Sequence, residues 1–236
     1  MARADVEVQG KAEMHSDWPD IRGRVSRLAA RRGSRKVYGE GAHEWILKAP
    51  LSTDELRELE GQLRVELPDE YRSFLLEVSR GGAGPWSGLL APYCEAGRWR
   101  WKDFVPVELE LLEQPFPHTS AFNPIDLLPP QPEEDSFESE DAWLLAQRAY
   151  LVMYNEESER PEHTAGLLYL SSYGCGHYEV LVVSGPSRGQ MWFDGRAGDE
   201  GFFPLTDADG ARIGFAQWYR RWLEEAETRR STPLKR

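Results

Sequence analysis

Residues 52–82 constrain the fold most strongly, because they predict two short helices separated by a proline and closed by a pair of glycines. The first helix opens on Ser52-Thr53-Asp54-Glu55, the pattern of a capping box, in which a hydroxyl accepts a hydrogen bond from a free backbone N–H and the glutamate reaches back. Its apolar side chains recur at i, i+3 and i+7 and therefore share one helical face. They are Leu56, Leu59 and Leu63.

The second helix follows the dipeptide Leu67-Pro68. Proline breaks the first helix and suits the start of the next one, where its missing N–H leaves no hydrogen bond unmade. Apolar residues at i, i+3, i+4 and i+7 again form one face, and the pair Gly81-Gly82 predicts the helix end. The apolar residues of this face are Tyr71, Phe74, Leu75 and Val78.

The C-terminal part changes from a helical to a strand-like apolar period. The runs 166–171 and 178–184 are rich in Leu, Val and Tyr and predict strands, and 190–194 predicts a strand that returns after a turn. The connections are too short for the crossovers that parallel strands need, so we expect antiparallel pairing. An amphipathic helix closes the chain, with apolar residues at i, i+3, i+4, i+7 and i+8. They are Phe215, Trp218, Tyr219, Trp222 and Leu223.

Further strands are predicted at 89–93 and at Arg98-Trp99-Arg100-Trp101, where basic and aromatic residues alternate. The alternation has two interpretations, a strand with one buried face or a surface that stacks single-stranded nucleic acid. The acidity of the chain favours the strand. The fold class is therefore α+β: a mostly antiparallel sheet of about five or six strands with helices packed against it.

One more helix is predicted near the N-terminus, where apolar residues recur at helical spacing with a proline in the first turn. They are Trp18, Ile21, Val25 and Leu28. We divide the chain into an N-terminal helical extension, one α+β domain that carries an acidic, proline-rich insert, and a basic tail. The boundaries are 1–48, 49–228 with the insert at 103–162, and 229–236.

The net charge of −12 is concentrated in the insert. Residues 103–162 contain 15 acidic and two basic residues, a net of −13, whereas the remainder, with 25 acidic and 26 basic residues, is nearly neutral. Direct nucleic-acid binding is disfavoured, because phosphate contacts need clustered Lys and Arg. The prolines of this segment argue against regular structure over 114–132, and we expect an extended or mobile loop over 114–140. A helix capped by Asp141 follows, with one apolar face of Trp143, Ala146, Tyr150 and Met153.

Composition points to a cytoplasmic protein with a substantial core. Hydrophobic residues make up 40% of the chain and include 9 Trp. Two cysteines are too few for a disulfide framework and suit a reducing compartment. The first residues show no signal-peptide pattern, and the apolar runs are far shorter than the about 20 residues that span a bilayer, so we expect no membrane association.

No pattern predicts catalysis, a cofactor or a metal site. The Gly-rich loop 81–88 lacks the Gly-Lys-Ser/Thr of a phosphate loop and the spacing of a nucleophile elbow. Cys175 and His177 could form a nucleophilic pair, but a cysteine between two glycines at a strand end is better explained as a small packed residue. The five His and two Cys lack metal-ligand spacing. We expect no enzyme activity and no cofactor.

Three stretches, in order along the chain, resemble the SUKH superfamily, which includes yeast cell-wall assembly regulators and many bacterial immunity proteins. The resemblance spans about residues 50–223, with the insert in the middle. It rests on the helix after Leu67-Pro68 with its glycine stop, on the glycines around the later strands, and on the closing helix. Its residues are Leu67, Pro68, Tyr71, Phe74, Leu75, Gly81, Gly82, Gly174, Gly176, Gly185, Gly189, Trp192, Phe215, Trp218 and Trp222.

The resemblance implies a binding fold and names neither a partner nor an oligomeric state. Many bacterial members of the superfamily neutralise toxins, often nucleases or deaminases, and eukaryotic members act as regulatory scaffolds. We therefore expect a non-catalytic protein-binding module that occludes the active site of a basic toxin domain. A regulatory or scaffolding interaction protein is the alternative.

The acidic stretch has two interpretations. It can mimic phosphate and steer a basic partner, or it can serve solubility in a disordered segment. Affinity also needs desolvated anchors such as Trp, and five tryptophans are candidates that equally suit the core: Trp86, Trp99, Trp101, Trp143 and Trp192. Our partner-binding hypothesis is that two of these tryptophans and six acidic residues contact the partner. These residues are Glu133, Glu134, Asp135, Glu138, Glu140, Asp141, Trp86 and Trp143.

Overall fold

The computed structural model describes residues 18–30, 39–101 and 109–231. The predicted insert and basic tail lie partly outside this set, at 103–108 and 232–236. The described α-helices are α1 (Ile21–Ala30), α2 (Glu40–His43), α3 (Thr53–Leu63), α4 (Asp69–Glu77), α5 (Glu140–Ser158) and α6 (Phe215–Ser231). Single 3₁₀ turns occur at Leu109–Leu111, Pro124–Leu127, Glu134–Ser136, Pro161–Thr164 and Arg196–Gly198.

Two antiparallel sheets confirm the α+β prediction. The smaller pairs β1 (Tyr93–Glu95) with β2 (Arg98–Arg100), and the larger has the order β3-β4-β5-β6. The bounds of the larger sheet's strands are Leu167–Gly174, His177–Val182, Met191–Asp194 and Phe202–Pro204. Each strand pairs with the next one in sequence, so the sheet is a meander. The six strands match the expected number but are divided between two sheets.

The two helices predicted around the proline both form, but α4 ends at Glu77 with Val78 as its C-cap, before the predicted end at Gly81-Gly82. Ser52 Oγ accepts from the Glu55 backbone N–H at 3.2 Å, and the Glu55 carboxylate accepts from the Ser52 N–H at 2.7 Å, which completes the capping box. Pro68 is the N-cap residue of α4. The apolar faces of α3 and α4 are buried: Leu56, Leu59, Leu63, Tyr71, Phe74 and Leu75.

An aromatic cluster joins α1, α4 and α6. The Phe74 ring lies 5.1 Å from Trp18, 5.1 Å from Phe215 and 4.7 Å from Tyr219, measured between centroids. Trp18 lies three residues before the start of α1, and the α1 residues Ile21, Val25 and Leu28 are buried, so the N-terminal helix packs into the same core as the rest of the described chain. The boundaries given above for the extension, domain, insert and tail stay predictions.

A buried polar network fastens the end of α5 to the sheet. The Arg196 guanidinium donates two hydrogen bonds to the Asp194 carboxylate, at 2.9 and 2.8 Å. It also donates to the backbone carbonyl of Ser158, the last residue of α5, at 2.6 Å. Tyr169 OH donates to Asp194 at 2.7 Å. The guanidinium also lies 4.7 Å from the centre of the Phe202 ring. Since Asp194 is only 2% exposed, its charge depends on these partners.

The segment 114–140 is more ordered than the prolines suggested. Phe116 is fully buried, its N–H donates to the Ser184 carbonyl at 3.0 Å, and its ring packs 4.9 Å from Trp192. Pro124 starts a 3₁₀ turn whose second residue donates to the Asn123 side chain. Proline is compatible with the first position of a helical turn, so the expectation of a wholly irregular loop was wrong.

Two further local predictions need correction. The N-cap of α5 is Ser139, whose Oγ accepts from the Ala142 N–H, and the predicted cap Asp141 lies inside the first turn. The strand predicted at 89–93 begins only at Tyr93; Leu89 forms single bridges to Gly82 and Ser171. By contrast, Trp99 is buried between two exposed arginines, as a half-buried strand requires.

Candidate protein-binding surface

The six acids of the partner-binding hypothesis all lie on the surface, before α5 and in its first turn. Glu134 and Asp135 belong to a 3₁₀ turn, and Glu140 and Asp141 start α5. Within the described ranges, no ion pair involves any of the six. Two of them also stabilise the positive N-terminal end of the helix, which is a structural role. The six exposed residues are Glu133, Glu134, Asp135, Glu138, Glu140 and Asp141.

The inner face of α5 is half-buried and holds Trp143. The Trp143 Nε1–H donates to the Pro132 carbonyl at 3.2 Å, so this indole ties the helix to the preceding segment. Ala146 and Tyr150 share the inner face as predicted, but Met153 is exposed and Tyr154 takes its place, with its hydroxyl donating to Asp199. Trp143 therefore holds α5 against the preceding segment and is poorly accessible to a binding partner.

The outer face of α5 carries large exposed aliphatic side chains that the sequence analysis missed. Leu145 is 70% and Leu151 53% exposed, and Leu144 and Val152 lie beside them. These residues follow Glu140 and Asp141 at i+4 and i+11, which places acids and aliphatics on one helical face. We call this set the α5 outer face: Glu140, Asp141, Leu144, Leu145, Leu151 and Val152.

A sequence signal for this face was present. The pairs Leu144-Leu145 and Leu151-Val152 are seven residues apart, which is two helical turns, and they form a second apolar stripe beside the predicted one. A helix with two apolar stripes needs two partners. The fold supplies only one of them among the described residues.

Trp86, the second predicted anchor, lies in the loop before β1 and is half-buried. Its ring packs 4.2 Å from that of Tyr173, and both line a cavity that also contains Trp218 and Glu179. The remaining tryptophan candidates, Trp99, Trp101 and Trp192, are buried in the core.

Most residues that carry the superfamily resemblance support the fold and are not exposed for binding. The apolar ones are buried: Leu67, Pro68, Tyr71, Phe74, Leu75, Trp192, Phe215, Trp218 and Trp222. The glycines lie at turns and close approaches. At Gly82, φ is +110° and a Cβ atom would lie 2.1 Å from the Ile46 carbonyl oxygen, so a side chain there meets backbone. The other glycines are Gly81, Gly174, Gly176, Gly185 and Gly189.

The possible nucleophilic pair occupies a hairpin turn. Cys175 and Gly176 have φ values of +50° and +81° and connect β3 to β4, as in a two-residue turn with both residues left-handed. The His177 Nδ1 atom lies 3.3 Å from the Gly174 carbonyl oxygen. This geometry directs the ring nitrogen to the backbone. Cys175 is exposed because it lies in the turn, so its interpretation as a small packed residue was wrong.

Among the described residues, no group of three or more His, Cys, Asp or Glu side chains is arranged to hold a metal ion. None of the described helices combines the length and apolar character needed to cross a bilayer.

A protein-family model matches about two thirds of the chain. The model of the family described as SMI1 / KNR4 family (SUKH-1) matches residues 50–208, from just before α3 to just after β6. The closing helix α6, which the resemblance included, lies beyond the matched range. No curated protein and no solved structure shows a significant match.

Proposed function

This chain belongs to the SMI1 / KNR4 family (SUKH-1), and from that premise we propose that it is a non-catalytic immunity protein that binds and neutralises a bacterial toxin. The toxin class is a basic enzyme such as a nuclease or deaminase, and inhibition occurs by covering its active site. The α5 outer face carries the proposal, because it places unpaired acids directly beside exposed aliphatic side chains.

The two parts of this surface have different physical effects. Enzymes that act on nucleic acid have basic clefts, so the acids before and in α5 attract them over several ångströms and raise the association rate. Charges on an exposed rim add little to the lifetime of a complex. The aliphatic side chains supply the desolvated contacts that slow dissociation.

A cytoplasmic location suits this role. Both cysteines, Cys94 and Cys175, are free and exposed. Exposed free thiols persist in a reducing compartment, whereas oxidising compartments favour disulfides. We propose that the protein meets its toxin inside the producing cell.

Neutralising the acids is expected to slow association by roughly 10-fold or more at low salt. The variant changes Glu133, Glu134, Asp135, Glu138, Glu140 and Asp141 to Gln or Asn. The association rate is measured by stopped-flow binding to the proposed toxin, which is sought as the product of the neighbouring gene. The difference in association rate between the variant and the unmodified protein should vanish at 1 M salt, where the Debye length is about 3 Å.

The matched control neutralises six exposed acids scattered over the rest of the surface, which keeps the change in net charge the same. They are Glu44, Glu58, Asp69, Glu200, Asp209 and Glu224. An equal slowing in the control would assign the effect to net charge. Unchanged kinetics in the first variant would remove the acidic segment from the binding surface.

Truncating the aliphatic part of the α5 outer face should affect dissociation instead. We expect the double variant Leu145→Ala with Leu151→Ala to dissociate at least 10-fold faster, since each anchor contributes about 1–2 kcal/mol, with the association rate unchanged. Because both side chains are exposed, the free energy of unfolding should change by less than about 0.5 kcal/mol per substitution. Surface plasmon resonance measures the dissociation rates, with Ile46→Ala, at an exposed aliphatic residue outside α5, as the control. Equal dissociation rates in the unmodified protein, the double variant and the control would contradict the assignment of the α5 outer face to binding.

A further inference from the structure

A cavity of about 720 Å³ lies between α6 and the larger sheet, away from the α5 outer face. Five of its fifteen lining residues are aromatic, and four of these come from separate parts of the chain: Trp86 from the loop before β1, Tyr173 from β3, and Trp218 and Trp222 from α6. Trp218 and Trp222 are one helical turn apart, so both rings project from the same side of α6. The sheet contributes a single acidic side chain, Glu179 of β4.

Glu179 is unusual for its position. It is 7% exposed, in a strand whose next residues are all fully buried and apolar. Its carboxylate accepts from the Trp218 Nε1–H at 3.0 Å and also hydrogen bonds to the Trp86 side chain. No ion pair to Glu179 occurs in the part of the chain that the structure describes. Among the described residues, the Glu179 carboxylate therefore lies in this cavity with indole donors but no cation in direct contact, and Arg221 acts on it only from a distance.

Burial makes this arrangement unfavourable for the free protein. Desolvation raises the pKa of Glu179, while the two indole donors and Arg221 partly oppose the shift. A raised pKa means that ionising Glu179 costs folding free energy, and this cost appears as the pH rises above the carboxyl group's unfolded value. A neutral side chain of similar shape would avoid it. The carboxylate is thus explained better by a ligand than by stability.

We propose that this cavity receives an arginine side chain of the protein partner, with its guanidinium stacked on the indole rings and paired with the Glu179 carboxylate. Trp faces attract cations, and the attraction grows when water is excluded. The planar guanidinium both stacks on aromatic rings and donates two hydrogen bonds to one carboxylate, which an ammonium group does less well. The occupant rests on the proposed function, since a basic toxin supplies exposed arginines.

The charges at the cavity rim are mixed, so Glu179 and the indole rings carry the preference for a cation. Arg221 and Arg229 border the cavity, as does Glu225. Arg221 is already engaged: its Nε donates to Glu225 at 3.2 Å and its Nη1 to the Thr206 carbonyl at 3.3 Å. These contacts hold its guanidinium at the rim, and Glu179 is the buried charged group of the cavity wall. Arg221 is nevertheless a cation that can compete with the ligand for Glu179. Removing its charge therefore tests whether the ligand is also a cation.

The test uses the full-length protein and a small probe, N-acetyl-arginine methylamide, without any toxin. In ¹⁵N-correlation spectra, the indole N–H signals of Trp86 and Trp218 should shift saturably, with a Kd of about 1–10 mM. The matched citrulline compound, which has the same shape but no charge, should give no saturable shift. Glu179→Gln should weaken arginine binding at least 10-fold while leaving the midpoint of thermal unfolding at pH 7 unchanged or higher.

Two matched variants complete the experiment. Glu224→Gln, an exposed acid on α6 outside the cavity, should bind the probe as the unmodified protein does. Arg221→Gln removes the competing cation and should tighten binding about 2- to 5-fold, as expected for roughly 0.5–1 kcal/mol of like-charge repulsion. Equal binding of arginine and citrulline, unchanged binding in Glu179→Gln, or weaker binding in Arg221→Gln would each overturn the proposal. Because no toxin is present, such a failure leaves the kinetic tests of the α5 outer face unaffected.

Discussion

Phe74→Ala is expected to lower the free energy of unfolding by about 3–5 kcal/mol. The side chain is 0% exposed, and its ring centroid lies within 5.1 Å of those of Phe215 and Tyr219 in α6 and of Trp18, just before α1. Its removal leaves a cavity at the point where three helices meet, and surrounding rings fill such a space poorly. Equilibrium urea unfolding measures the loss.

Two comparisons make this result specific to the aromatic cluster. Phe74→Leu keeps most of the volume and should cost less than half as much as the alanine variant. Leu127→Ala, at an exposed position, should change the free energy of unfolding by less than about 0.5 kcal/mol. A loss below about 1 kcal/mol in Phe74→Ala would show that α4 does not direct this residue into the core.

Arg196→Met should destabilise the protein by a similar amount, about 3–5 kcal/mol, for an electrostatic reason. The substitution leaves the Asp194 carboxylate buried without its two guanidinium hydrogen bonds. It also removes the donor to the Ser158 carbonyl, so α5 loses one of the contacts that hold its C-terminal end. Urea unfolding followed by circular dichroism reports the global loss, and hydrogen exchange at the α5 amides reports the local one.

The double variant Asp194→Asn with Arg196→Met tests whether the buried charge is the cause. Removing both charges should recover most of the lost stability, because a buried ion pair contributes much less than the cost of breaking it. The coupling between the two sites in a double-mutant cycle should be at least about 1.5 kcal/mol. Strictly additive losses would mean that packing, and not the unpaired carboxylate, dominates.

Sequence predicts the parts of this fold that depend on local spacing. The capping box at Ser52, the apolar faces of α3 and α4 and the short connections between β3 and β5 all involve residues within a few turns of each other. Phe116 shows the opposite case, because its burial against Trp192 joins positions 76 residues apart and has no local signature. The N-cap of α5 fails for a third reason: Ser139 and Asp141 are both good caps two residues apart, and propensity does not choose between them.

The candidate site divides in the same way. The acids were visible from composition, and their exposure follows from charge alone. Tertiary packing decides which apolar stripe of α5 faces the core. The sequence therefore shows that Leu145 and Leu151 are apolar residues of a helix, but it does not show that they face the solvent. Glu179 carried a stronger signal, since one charged residue precedes a continuous apolar run in a strand. The run predicts a strand, and the charged residue at its start, Glu179, indicates a buried polar site.

α5 contributes no fully buried side chain to the protein. Substitutions on its outer surface therefore meet little constraint from folding. Under the function proposed above, the binding partner would be the main constraint on them. The specificity of binding could then change through one helix while the sheet and the core keep their packing.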